Sequence, residues 1–326
     1  MNTRMTNTTQ GDTIPFEQVT AELADDDKPL LNASLACLSD LSRQQLNLLE
    51  NTWGNIDLKR RRQIIHRLAE LAEDDISLNF EAIFKHHLND QDEEIRSSAI
   101  EGLWENEDPS LIVPLINLMQ QDVSEIVQST AALALGRFAM LAEHRKIAAK
   151  YRQRLSRSLL AVFNDDNKAI EVRRRALEAA SSIGLKRVKQ AITAAYYNNN
   201  PTIRASAIYS MGRNCDSYWL PILTAELNSR DAELRYEAAV ACGELGEEEA
   251  VPTLILLTDD SDTDVQLAAV QALGNIGGNE AREHLEKCLE SPTEAMRQIA
   301  AHALHELEVL AEPLSLNELD YGDPDD

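Results

Sequence analysis

The chain has 326 residues, 44% of them hydrophobic and only 5% aromatic, and a formal net charge of -24 at pH 7. Such a length can bury a large core, and scarce aromatics beside abundant alanine and leucine favour close-packed helices over β-sandwiches. The charge disfavours general binding to DNA or RNA, whose nonspecific affinity comes from neutralising phosphates, and no apolar run approaches the roughly 18 residues of a membrane span.

The chain begins with MNTRMTNTTQGDTIPF, which lacks the apolar core of a secretory signal; the reading is a cytoplasmic protein. Residues 1–14 are expected to be a disordered tail and 311–326 an acidic one, the latter holding six acids and no base. Segments this polar cannot bury enough apolar surface to offset the entropy of ordering them. Cys37, Cys215, Cys242 and Cys288 form no Cys-x-x-Cys pair, so neither a zinc framework nor a disulfide scaffold is suggested. Buried free thiols are expected instead.

From residue 95 onwards a self-similar pattern dominates: an aliphatic residue followed by Arg or Gln, with a small residue three places later. It occurs at Ile95-Arg96, Val127-Gln128, Val172-Arg173, Ile203-Arg204, Leu234-Arg235, Val265-Gln266 and Met296-Arg297, at spacings of 32, 45, 31, 31, 31 and 31 residues. Each interval fits two helices of about 12 residues and their turns at the helical rise of about 1.5 Å per residue. Asp92, Ser124, Asn200, Asp231, Asp262 and Thr293 stand three residues before the anchor, where their side chains can cap the free N–H groups of a second helix. Pro201 sits at a first helical position. Pro114, Pro221 and Pro252 precede apolar runs that read as first helices. Gly136, Gly212, Gly243 and Gly274 recur nine places after the anchor and would let helices approach closely.

These residues resemble HEAT repeats of the phycobilisome-lyase-like class, with their aspartate turn and V-R-x-x-A pattern. The resemblance covers roughly 85–310, and 15–84 more loosely as a helical cap in which DLKRRRQIIHRLAELAED resembles a degenerate first repeat. It implies an all-α, right-handed α-solenoid of about eight helical pairs, with second helices lining a concave side. Tetratricopeptide repeats compete, but their period is about 34 residues and their aromatic signature is missing.

Within that class, deoxyhypusine hydroxylase places His-Glu pairs two and three residues after the anchor. The corresponding pair in the fifth unit is Tyr236-Glu237, and no unit has His-Glu there, so no di-iron site is expected. The pair His305-Glu306, with His302 nearby, reads as a solvated helix. Phycobilin lyase subunits share the repeat tiles but no chemical motif, so that analogy rests on fold alone. No catalytic, cofactor or metal site is assigned.

Positions 2, 6 and 10 of the second helices should share one face. They gather Arg137, Arg174, Tyr209, Arg213 and Tyr236, with Arg175 adjacent. Arginine and tyrosine dominate interface energetics, and the arginines would suit an acidic or phosphorylated segment; alternatively they pair with the chain's own acids. The 45-residue interval holds a basic stretch near 137–157, with Arg145, Lys146, Lys150, Arg152, Arg154 and Arg157. It reads either as a partner-binding rim or as an extended helix that neutralises the acidic body. Arg96, Arg173, Arg204, Arg235 and Arg297 form a column expected to bridge to turn acids of neighbouring repeats. Trp53, Trp104 and Trp219 are expected to fill gaps at irregular repeats. The functional reading is a noncatalytic protein-binding scaffold. The alternative is an accessory subunit of an enzyme system, tetrapyrrole-lyase-like or a divergent metal-dependent oxygenase.

Overall fold

The computed structural model describes residues 15–25 and 27–311, the last two as backbone only. The expected tails, 1–14 and all but the first residue of 311–326, lie outside the described residues. Among these there are eighteen α-helices, three short 3-10 turns and no strand. The fold class is an all-α solenoid of paired helices. The chain divides into two compact units, 1–135 and 136–326.

The first unit contains α1 (Phe16–Leu23), α2 (Asn32–Ala36), α3 (Arg43–Trp53), α4 (Leu58–Asp74), α5 (Glu81–His87), α6 (Glu93–Glu101), α7 (Ile112–Gln121) and the start of α8 (Glu125–Glu143). α1 packs on α2 and α3, α2 on α4, and α4 and α5 on α6. α4 is tied down by a buried cation. Arg60 donates to the carbonyl of Leu23 at 2.6 Å, which the end of α1 leaves without a helical partner, and to that of Lys28 in the following connection at 2.8 Å. Trp53 fills a gap as expected, stacked on the buried His87 ring at 4.4 Å with its indole N–H 3.2 Å from Asp90. Burial raises the Asp90 carboxyl, but His87, the Asp92 amide and Trp53 outweigh it and hold the group down at about 2. Trp104 departs from expectation: it is 51% exposed. α6 ends early at Glu101, and the Phe84 ring packs over Gly102 so closely that a Cβ would have no room, leaving Trp104 beyond the helix.

The second unit contains the rest of α8, then α9 (Ala149–Phe163), α10 (Ile170–Ala180), α11 (Lys186–Tyr196), α12 (Pro201–Asn214), α13 (Leu220–Glu226), α14 (Ala232–Leu245), α15 (Val251–Leu257), α16 (Thr263–Ile276), α17 (Asn279–Cys288) and α18 (Glu294–Ala311). The second helices stack in series, α10 on α12, α12 on α14, α14 on α16 and α16 on α18, and from α11 onwards each first helix packs on its partner. Each repeat therefore buries its apolar face against its neighbours.

The local signals act as their chemistry dictates. Asp92, Asn200, Asp231 and Asp262 accept first-turn amide hydrogen bonds, and Pro201 opens α12. Pro221 and Pro252 stand in the first turns of α13 and α15, each after a 3-10 turn that the sequence pattern did not announce. The recurrent glycines face the next second helix. A Cβ on Gly212, Gly243 or Gly274 would lie within 3.1 Å of the Cα of Ala241, Ala272 or Ala303. At the corresponding places between α10 and α12 stand buried Ser181 and Ser210.

The arginine column is a ladder in part. Arg96 reaches Asp122 and Arg235 reaches Asp260, both in the next turn, with bonds of 2.7–2.8 Å; Arg204 reaches Glu226 on the next first helix at 2.6 Å. Arg173 and Arg297 instead stay within their own repeats, on Asp166 and the Phe163 carbonyl and on the Ser291 carbonyl. The extra residues of the long interval build no separate loop. They lengthen both helices of one hairpin, since α8 has 19 residues against 14 in α14, and α9 has 15 against 7 in α13. Of the cysteines, Cys242 and Cys288 are buried but Cys37 and Cys215 are exposed, so burial of all four was too broad an expectation.

Candidate functional site

The second-helix face of residues 136–326 collects most of the residues singled out from the sequence. α10 presents Arg174 and Arg175 one after the other, and flanking acids reach both. Arg174 pairs with Glu171 at 2.5 Å and Glu178 at 3.1 Å; Arg175 pairs with the same two carboxylates at 3.0 and 3.1 Å. Glu178 also accepts from the Ser206 hydroxyl of α12 at 2.6 Å. One repeat on, Arg213 pairs with Glu244 of α14 at 3.2 Å. Arg137, on α8, is half-buried.

The tyrosines stand in an acidic setting. Tyr209 is half-buried, and burial pushes its phenol up; Arg213 opposes this, while Glu178, Glu244 and Glu237 add to it. Glu237 is pushed up to about 7, first by burial and then by repulsion from Glu178, Glu233 and Glu244, which Arg174 offsets only in part. Tyr236 is 39% exposed. It forms one wall of a hollow of about 740 Å³ over α14, α16 and α18, lined also by Val240, Leu267, Gln271 and Ile299, with Glu233, Asp262 and Asp264 beside them.

Of the two readings of the arginines, pairing with the chain's own acids is what the structure shows for Arg174, Arg175 and Arg213. The signal for Glu171 and Glu178 was present, since both stand three or four residues from Arg174 and Arg175 on one helix face. The sequence marks Glu237 only through its place beside Tyr236; its acidic neighbours Glu233 and Glu244 share α14, and Glu178 arrives from α10.

The basic residues of the long hairpin lie elsewhere. Arg152 pairs with Glu143 across the hairpin at 2.5 Å, and Lys150 stands 5.0 Å from the Tyr151 ring centre. Lys150, Arg154 and Arg157 are exposed at i, i+4 and i+7 of α9, on one helical face. Arg145, in a left-handed conformation with φ 60°, and Lys146 occupy the turn. In the last helix His302 meets Glu306 at 3.6 Å, both side chains being well exposed. Among the described residues no three His, Cys, Asp or Glu side chains converge as metal ligands would, and no helix is long and apolar enough to cross a membrane.

A family model for HEAT repeats matches residues 220–305. These residues span α13 to the middle of α18. Among solved structures, an engineered protein aligns over 90% of this chain and 88% of its own at 18% identity, with a TM-score of 0.43. A second engineered protein covers 61% of this chain and 96% of its own at 20% identity and TM-score 0.40. Human deoxyhypusine hydroxylase in complex with glycerol covers 90% and 96% at 16% identity and TM-score 0.35. No curated protein matches by sequence. HEAT repeats generally serve as protein-interaction scaffolds.

Proposed function

We propose that this chain is a noncatalytic scaffold that holds an extended segment of a partner protein in a concave groove on the second-helix face of residues 136–326. The observation that carries this reading is the open hollow beside the exposed Tyr236, whose apolar floor no other described part of the chain covers. Solenoids commonly use such faces for binding, and tyrosine offers large contact area at small entropic cost. The groove residues are Arg137, Arg174, Arg175, Tyr209, Arg213 and Tyr236. An acidic or phosphorylated partner is the less favoured chemistry, because it would have to displace Glu171, Glu178 or Glu244 from Arg174, Arg175 and Arg213. The phycobilisome-lyase-like class enters the proposal only as the type of repeat, with an accessory role in an enzyme system as the alternative reading. Cytoplasmic placement is part of the same proposal.

The basic face of α9 provides the competing binding surface, since Lys150, Arg154 and Arg157 stand exposed along it. Affinity capture from the native lysate, read by mass spectrometry, separates the two. Tyr236→Ala with Leu267→Ser should abolish capture of the main partner, and Arg154→Glu with Arg157→Glu should leave it intact. The opposite pattern would transfer the binding site to α9.

A further inference from the structure

The hollow and its border differ in chemistry from the arginines beside them. Its floor is apolar where Val240, Leu267 and Ile299 meet, while Glu233 and Asp264 stand at its edge. Neither carboxylate makes an ion pair among the described residues. Asp262, also at the edge, is occupied in capping α16. Next to Tyr236, Glu237 faces Glu178 of α10, Tyr209 of α12 and Glu233 and Glu244 of its own helix. Arg174, the cation that acts on it, binds Glu171 and Glu178, and Arg213, which acts on Tyr209, binds Glu244. Glu237 itself makes no hydrogen bond or ion pair among the described residues. The face thus has carboxylates lacking a cation three residues before and one residue after the exposed Tyr236.

Resting on the groove reading above, we infer that the partner segment carries an aliphatic side chain next to a lysine or arginine. The aliphatic group enters the hollow on Val240, Leu267 and Ile299, and the cation lies against the Tyr236 ring between Glu233 and Glu237. Charge complementarity selects this occupant. An acidic segment would meet the unpaired carboxylates of Glu233 and Asp264 at the edge of the hollow, and that of Glu237 once ionised, and like charges brought together in an interface are strongly disfavoured. A cation over a tyrosine ring is attracted by the ring's electron-rich face, and an ion pair with Glu233 or Glu237 would relieve the repulsion among the acids.

Binding should also depend on pH. Burial and the neighbouring acids push the Glu237 carboxyl up to about 7, so it is largely neutral at pH 6 and ionised at pH 8. A bound cation favours the ionised form, and affinity should therefore rise with pH across this window.

The test uses the full chain and fluorescein-labelled peptides of repeating Leu-Lys-Ser, with Leu-Glu-Ser and Ser-Lys-Ser as controls, read by fluorescence anisotropy at moderate salt. The Leu-Lys-Ser peptide should bind, and both controls should bind at least about tenfold more weakly. Tyr236→Ala, Leu267→Ser and Glu233→Gln with Glu237→Gln should each weaken it by about tenfold, with helical circular dichroism unchanged. Glu237→Gln alone should flatten most of the rise between pH 6 and 8. Equal binding of Ser-Lys-Ser would mean only attraction to an acidic chain, and tighter binding of Leu-Glu-Ser would reverse the assigned chemistry; either result overturns the inference. If the hollow variants lose the lysate partner while Leu-Lys-Ser never binds, the groove stands and this partner chemistry falls. If the variants capture the partner as well as wild type, the groove reading itself falls.

Discussion

Replacing Gly243 by alanine puts a methyl group where two second helices come closest. An ideal Cβ there would lie 2.8 Å from the Cα of Ala272 and 3.0 Å from its Cβ. The Cα belongs to the α16 backbone and cannot rotate aside, so α14 and α16 must separate by several tenths of an ångström. Overpacking of this kind costs about 1–3 kcal/mol, against a helix-propensity gain of about 1 kcal/mol for removing a glycine. The expected net loss reaches about 2 kcal/mol, and because neighbouring repeats support one another, the damage should spread along the stack. Gly136 supplies the contrast. Its Cβ would meet Ala179 at 3.4 and 3.6 Å, ordinary contact distances, so Gly136→Ala should keep most of the propensity gain. Thermal melts followed by far-ultraviolet circular dichroism read the difference at about 2–4 °C per kcal/mol for a unit of this size. Gly243→Ala should melt several degrees below wild type and Gly136→Ala at or above it. Equal shifts in one direction would refute the account of glycine as the residue of close helix approach.

Arg235→Met removes two bonds of 2.7 Å to Asp260 and one of 2.9 Å to the Ser229 carbonyl. It should cost about 2 kcal/mol in urea denaturation, whereas Arg173→Met, whose carboxylate partner Asp166 is exposed, should cost clearly less. Burial and the neighbouring acids raise the Glu237 carboxyl from its ordinary 4.5 to about 7, so the native state holds that proton more tightly than the unfolded chain. The resulting stabilisation is full below about pH 4.5 and is lost as pH rises through 7; Glu237→Gln should therefore gain thermal stability relative to wild type between pH 5 and 8, and parallel curves would contradict this. Burial pushes the Cys242 thiol up to about 12, while Cys37 and Cys215 are exposed. Maleimide labelling of the native protein at neutral pH, read by mass spectrometry, should modify Cys37 and Cys215 and spare Cys242 until the chain unfolds.

What the sequence determined by itself is the set of features that neighbouring residues settle among themselves. Asn200 and Pro201 start α12, and Asp231 and Asp262 start α14 and α16, because a cap and its amides lie within one helical turn. The period of 31 residues was legible for a related reason: each repeat presents the same surfaces to the next, so its apolar, small and capping positions must recur. Even the pairing of Arg174 with Glu171 and Glu178 could be read from one helix face. Stacking decided the rest. The glycine column is visible in the sequence, but only the register between helices sets Gly243 against Ala272. The arginine column is equally visible, yet Arg235 crosses to the next turn and Arg173 does not, which depends on how far each turn lies from the guanidinium. The hollow beside Tyr236 is made by α14, α16 and α18 together, and Glu237 owes its proton affinity to burial and to acids from more than one repeat. Charge, burial and open space add up over distances that the tertiary structure sets, so identical tiles in the sequence become unequal sites only once they are stacked.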